Sequence, residues 1–361
     1  MLWKPLVEQY GVQIDFAHRT FRWDSEASQK AHVHCVIVGL SCTASETRTI
    51  FLPDGTAIAA AHINAYLMDA PDVIIESRTK PLCDVPEMFN GGKPAEGGNL
   101  ILTEEERDEL LKAEPQAAKL LRPYMMGKDF IARKARWCLW LVDVSPTDIR
   151  SCRRVMQRVE AVRRFRLASK KAATRAKAET PTLFDEVRPC QTDYLAIPVV
   201  SSQRRKYVPM EWLSADIIPG DKLFCMQQAT FSHFAVLTST VHMAWLRAVC
   251  GRLKSDYSYS NTIVYNNFPW PDEMGDALEV CAQNILDARA LYPDSSLADL
   301  YDPLTMPAEL RKAHRDNDRE VLRLYGLPAD ATDEQIVAKL FTMYAASWSA
   351  GVPPATGAKR N

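Results

Sequence analysis

Three stretches of the chain carry side chains whose types and spacing suit contact with a polyanion or with base edges. Residues 150–178 hold eleven lysines and arginines against one acid, Glu160. Ion pairs along a helix cannot offset that imbalance, and a polyanion lying against it would relieve the self-repulsion. Arg163, Arg164, Arg166, Lys170 and Lys171 are its candidate phosphate contacts. The competing assignment is a solvated helix face. The second stretch, Ser201-Ser202-Gln203-Arg204-Arg205-Lys206-Tyr207, packs two hydroxyls, an amide, three cations and a phenol into seven residues. Such donors hold phosphates and fix register on a duplex. Ser201, Ser202, Arg204, Arg205 and Lys206 are the candidates, against the alternative of a plain surface turn.

The third stretch covers residues 251–260. Taken as one extended segment, it places Arg252, Lys254, Asp256, Ser258 and Ser260 on a single face. Lysine or arginine can donate to guanine O6 and N7, and aspartate can accept from cytosine N4. Lys254 and Asp256 would stand about 7 Å apart along a strand, close enough to converge on one G·C pair. The bland alternative is an exposed strand with a surface Lys–Asp pair.

Other chemistries find no pattern here. No glycine-rich loop follows a strand and opens a helix, as a dinucleotide or S-adenosylmethionine site requires. No phosphate-binding GxxxxGK[ST] and no HExxH occur. Asn267-Phe268-Pro269-Trp270 comes nearest to an amino-methyltransferase tetrapeptide, but Phe268 stands where a proline is needed, so a packed corner is expected. His18, His32 and His34 lack partners for catalysis. No catalytic residue and no metal ligand is assigned. The nine cysteines show no CxxC spacing and suggest reduced thiols in a cytoplasmic protein. No apolar run reaches the roughly 18 residues that span a bilayer, and the first residues do not form a signal peptide.

The elements that must position these stretches form an α+β pattern. Residues 12–24 alternate like a strand, and 31–42 form a valine-rich buried strand, together resembling the tail of a sheet. A polar connection covers 43–60, and a strand is expected at 72–76. A glycine-rich loop occupies 90–98, and Thr103 opens a helix with a capping box completed by Glu106. Strands follow at 136–143 and 194–200, with a helix within 150–178 and another near 232–250. The run NNFPWPDE at 266–273 marks a boundary. Two or three amphipathic helices follow over 273–348.

Residues 16–23, with Glu26-Ala27 and residues 33–39, resemble the end of the methyltransferase domain in MmeI-like type IIL restriction–modification proteins. So do SKKAATR at 169–175, AIPVVSSQRRKYVP at 196–209, and the longer runs at 243–271 and 300–314. The resemblance spans nearly the whole chain. In that family one polypeptide carries an endonuclease, an adenine-N6 methyltransferase using S-adenosylmethionine, and a target recognition domain serving both. The resemblance implies three parts. Residues 1–55 would be terminal strands of a Rossmann-like methyltransferase sheet. Residues 56–272 would form a mixed-sheet DNA target recognition domain, and 273–361 a small helical domain.

The resemblance also implies double-stranded DNA as partner. Lys254 and Asp256 match a pair that the family varies together to choose a base. Lys222 and Ser258 match a second pair, which chooses a purine nearer the site's centre. Phe21 and Trp23 are candidates to stack on a flipped adenine. The family's cofactor loop, Asn-Pro-Pro-Tyr tetrapeptide and nuclease motif have no counterpart here. The expectation is a recognition module, inactive alone, with no cofactor of its own and no membrane partner. Either the gene is truncated, or a separate methyltransferase or endonuclease polypeptide would supply catalysis. Two alternatives lie outside this class: an RNA-binding protein that stacks bases on Tyr257 and Tyr259, and a scaffold whose basic stretch binds an acidic partner.

Overall fold

A short helix, α1 (Trp3–Glu8), leads into the first sheet. The computed structural model describes residues 2–24, 32–43 and 45–349. The alternating residues of the first long run pair as expected: β1 (Gln13–Asp24) lies antiparallel to β2 (His32–Ser41). The supposed polar connection that follows holds two more strands, β3 (Arg48–Phe51) and β4 (Ala57–Ala60). They complete a sheet of order β2-β1-β3-β4, with β3 parallel to β1. Four residues each is too short for a periodic signal to emerge. The tight turn between them relies on Gly55 at φ 87°. Ile14, Ala17, Ile50 and Ile63 form the small core of this sheet.

The expected strand at 72–76 is irregular chain instead. Val73 and Ile75 are buried, which gave the apolar signal. Backbone carbonyls here are satisfied by side-chain amides rather than a ladder: Asn267 Nδ2 donates to Glu76 O and Asn266 Nδ2 to Arg78 O. The two asparagines belong to the packed corner expected at 266–270, where Phe268 is fully buried.

Next come β5 (Met88–Asn90), β6 (Ile101–Leu102), α2 (Glu104–Ala113), β7 (Leu121–Met125), α3 (Gly127–Ala132) and β8 (Arg136–Leu139). Helix α2 opens on the expected capping box, with both the Thr103 and the Glu106 hydrogen bonds formed. Helices α4 (Pro146–Arg150), α5 (Arg153–Leu167) and α6 (Ala172–Ala176) carry the basic stretch. The chain continues through β9 (Tyr194–Pro198), β10 (Val200–Ser201), β11 (Glu211–Leu213), β12 (Ile218–Pro219) and β13 (Leu223–Gln227). Two sheets result, of order β11-β9-β13-β5 and β12-β7-β8-β6. The second sheet and the inner face of α5 enclose one core, with Leu100, Leu121, Leu139, Val155, Val159 and Val162 among its members.

The expected helix near 232–250 is two helices, α7 (Phe231–Leu237) and α8 (Thr240–Val249). Ser239 starts the second by accepting the His242 backbone N–H. After β14 (Gly251–Leu253) and β15 (Asp256–Ser258) the chain becomes helical: α9 (Asp276–Ala290), α10 (Leu297–Leu300), α11 (Ala308–Leu324) and α12 (Asp333–Ser349). One apolar cluster runs from Met68 through β9, β13, α7 and α8 to Tyr344 in α12. The last four helices thus share their core with the sheets before them. Among the described residues no helix is long and apolar enough to cross a membrane.

Candidate nucleic-acid interface

The segment expected to run extended from Arg252 to Ser260 reverses direction. Strands β14 and β15 form a hairpin, with Leu253 opposite Asp256 and Arg252 opposite Tyr257. Lys254 and Ser255 are its two turn residues, and Lys254 takes a positive φ of 57°. That conformation favours glycine or asparagine, so Lys-Ser gave no turn signal. Lys254 therefore occupies the exposed hairpin tip, and Asp256 starts the return strand.

The second cationic stretch joins this hairpin directly. Strand β10 pairs with β15, Val200 opposite Ser258 and Ser201 opposite Tyr257, in a sheet of order β10-β15-β14. The backbone N–H of Gln203 donates to Asp256 Oδ1 over 3.2 Å. Ser202 shapes the turn: its Oγ accepts from Arg204 N and its carbonyl from Arg205 N. Arg204 and Lys206 are exposed, with Arg204 3.9 Å from Asp302 and Lys206 3.3 Å from Asp318. Arg205 is half-buried. Burial lowers its pKa, while the carboxylates of Asp256 and Asp302 act the other way. Ser201 corrects the expectation of a surface donor, because its pairing with Tyr257 turns the side chain inward, where it is 2% exposed.

Lys222 stands beside the same patch. Its carbonyl accepts from Val199 N, and the Val199 carbonyl accepts from Tyr259 N. The backbone of residues 199–200 thus links Lys222 to Ser258. A Cβ at Gly127 would lie 2.7 Å from the Lys222 carbonyl, so only glycine lets α3 approach this closely. The Lys222 side chain is 58% exposed, and its ammonium bonds Asp221 over 2.9 Å. Arg252 lies over the Tyr257 ring at 4.2 Å and donates to the Ser255 carbonyl.

Tyr257 and Tyr259 are 5% and 3% exposed. Tyr259 Oη bonds His242 Nε2 over 2.9 Å in the core. Neither ring is open to a base, which removes the stacking platform of the RNA-binding alternative.

Helix α5 displays Arg163 and Arg164 to solvent, and Lys170 and Lys171 follow in the exposed link to α6. Arg166 is a correction: it is fully buried and no phosphate can reach it. Its five guanidinium hydrogens go to the carbonyls of Ala95, Lys177, Thr180, Pro94 and Leu183. The reason is periodicity. Val155, Val159, Val162 and Arg166 fall on one helical stripe, and that stripe faces the core.

Phe21 is partly exposed on β1, opposite Cys35. Trp23 lies on the same strand, with its side chain outside the described residues. His18 stacks on Phe51, ring centroids 4.3 Å apart, and serves the first sheet. All nine cysteines are free thiols. Among the described residues no cluster of histidine, cysteine, aspartate or glutamate could hold a metal ion. Sequence reasoning missed Asp302 and Asp318 behind the turn. For Asp318 a signal existed, since it lies on the buried stripe of α11 with Leu310, His314, Asn317 and Val321.

Comparison with known proteins places these elements in a family. Residues 69–272 match the MmeI target recognition domain, 270–349 the MmeI C-terminal domain, and 1–52 the MmeI DNA-methyltransferase domain. DNA methyltransferase A of Bacillus subtilis (strain 168) is 32% identical over 347 residues, covering 95% of this chain and 39% of that protein. The solved structure of the type IIL restriction–modification enzyme MmeI in complex with DNA superposes with a TM-score of 0.87 at 40% identity. That match covers 96% of this chain and 47% of the other. The chain thus spans less than half the length of the relatives it matches. It belongs to the MmeI-like type IIL restriction–modification methyltransferase family, in the region of the target recognition and C-terminal domains.

Proposed function

We propose that this chain is the sequence-reading module for double-stranded DNA in an adenine-N6 methyltransferase system. One observation carries it: the cationic turn at 201–207 and the hairpin bearing Lys254 and Asp256 belong to one small sheet, tied by the Gln203–Asp256 hydrogen bond. Phosphate-holding and base-reading chemistry thereby share one surface, as positioning and specification require. Ser202, Arg204, Arg205 and Lys206 hold the backbone, aided by Arg163, Arg164, Lys170 and Lys171. Lys254 and Asp256 read a G·C pair from the hairpin tip, with Lys222, Ser258 and Arg252 reading beside them. The solved MmeI complex with DNA supports the same partner.

Methyl transfer in this system uses S-adenosylmethionine. Among the described residues no helix stands between strands β1 to β4, and no strand-to-helix cradle for such a cofactor is assigned to them. No step of the transfer is assigned to them. Catalysis belongs to a methyltransferase or endonuclease part of the system, as a domain or as a separate polypeptide, that would dock on the first sheet. The exposed Phe16, Val36, Ile37, Leu40 and Ile58 favour such a partner. Phe21 and Trp23, on the same sheet, are the proposed residues to stack on the extruded adenine. A cytoplasmic setting suits the nine free thiols.

Binding measured across a salt series on mixed-sequence duplex and on single-stranded RNA tests the proposal. Duplex binding should weaken steeply with salt, with a slope set by the phosphate contacts. Equal or tighter binding to the RNA would overturn it.

A further inference from the structure

Helix α11 carries His314 and Asp318 one turn apart on its buried stripe. Together they make a socket for Tyr207, the last residue of the cationic turn. The Tyr207 ring lies flat on His314, centroids 4.1 Å apart. Its Oη donates to Asp318 Oδ2 over 2.6 Å. The same oxygen takes Lys206 Nζ at 3.3 Å. Asp318 Oδ1 accepts the backbone N–H of Thr240 over 2.7 Å. Thr240 is the first residue of α8, and only Cys250 separates the end of α8 from β14. One carboxylate therefore joins the end of the cationic turn, the start of the helix that carries the hairpin, and the C-terminal helix α11. The socket is itself braced: Tyr301 Oη lies 2.9 Å from His314 Nε2 and accepts from Arg289 Nε over 2.9 Å.

Asp318 is 7% exposed, and a carboxylate that deep is costly unless its donors are in place. Burial pushes it above the usual carboxylate range, against the hydrogen bonds from Tyr207, Lys206 and Thr240. Two of those donors belong to the cationic turn, and the third opens the helix that leads into the hairpin. All three are satisfied together only at one relative placement of the turn and the start of α8, the helix from which the hairpin projects. We propose that Asp318 is a positioning residue for base reading: through Tyr207 and Thr240 it fixes where the cationic turn stands relative to the base-reading hairpin. This rests on the proposed DNA reading. Phosphate attraction falls off slowly with distance and survives a small displacement. Base-edge hydrogen bonds weaken steeply with distance and angle and do not. Loosening the socket should thus erode discrimination before it erodes affinity.

The test uses the full chain with Tyr207→Phe, which keeps the ring on His314 and removes one donor, and with Asp318→Asn. Affinity is measured across salt for the duplex that wild type selects from a random pool and for a scrambled duplex of equal length. The ratio of the two affinities should fall about tenfold, the size of one lost hydrogen bond to a charged group. The scrambled affinity and its salt slope should stay put in Tyr207→Phe, and should not fall in Asp318→Asn, which frees Lys206 of its counter-charge. In an Asp256→Ala background, Asp318→Asn should cost no further discrimination, because its effect runs through the hairpin. An unchanged ratio, an equal loss on both duplexes, or a fully additive loss in that background would overturn the proposal. If Asp318→Asn does not fold, Tyr207→Phe decides alone. A wild type that enriches no sequence refutes the DNA reading itself. A wild type that enriches one, with variants that keep its ratio, refutes only the positioning role.

Discussion

Arg163, Arg164 and Arg166 sit within four residues and have different fates. The first two are exposed, while the third is a peg that satisfies five carbonyls. Replacing Arg166 with alanine strands those carbonyls and should cost at least about 3 kcal/mol in urea unfolding. Arg163→Ala and Arg164→Ala should leave stability within about 0.5 kcal/mol. Each should lower the salt slope of duplex binding by about one. An Arg166→Ala protein of wild-type stability would contradict the first expectation, and unchanged slopes the second. The distinction was legible in the sequence. The spacing from Val155 through Val159 and Val162 to Arg166 is a core stripe, and charge counting alone hides it. Lys254 and Asp256 stood out by type and spacing, but the reversal between them did not, because Lys-Ser lacks the residues that favour positive φ.

Among the elements, the long first hairpin, the capped helix α2 and the basic helix α5 all follow from periodicity or capping. The short strands β3 and β4, and the irregular chain near Ile75, do not. Their backbone partners lie far along the sequence or are side-chain amides. Helix α8 adds a pH response. His242 is fully buried against Tyr259 and Phe268, and burial lowers its pKa to about 3. The unfolded chain, with a histidine near 6.5, binds a proton that the native fold refuses. The stabilisation is therefore complete above about pH 6.5 and is lost as pH falls toward 3, at about 1.4 kcal/mol for each pH unit between. His233 and His314 are lowered by burial as well and act in the same direction. Urea unfolding from pH 7 to 4 should show a shallower pH slope for His242→Gln than for wild type. Parallel slopes would rule this out.

At the scale of the whole molecule, the proline- and aromatic-rich run at 266–273 marks a change from sheets to helices, as the sequence suggests. It does not mark a break in packing. Tyr325 Oη donates to the Pro269 carbonyl over 2.9 Å, Tyr344 Oη lies 3.3 Å from Asn267 Oδ1, and one core extends on both sides. Calorimetry should show the sheets around β9 and β13 melting together with α9, α11 and α12 in a single transition. A separate, earlier melting of the C-terminal helices would contradict a shared core. Composition could not foretell this, since amphipathic helices show that they pack but not against what. Base reading by the hairpin tip is the central proposal. Selection from a randomised duplex pool tests that directly, with wild type beside the double variant Lys254→Glu, Asp256→Arg. The account predicts that the charge swap exchanges G for C at one position of the enriched site, while each single change weakens binding by about 1–3 kcal/mol. Enrichment of the same sequence by both proteins would contradict it.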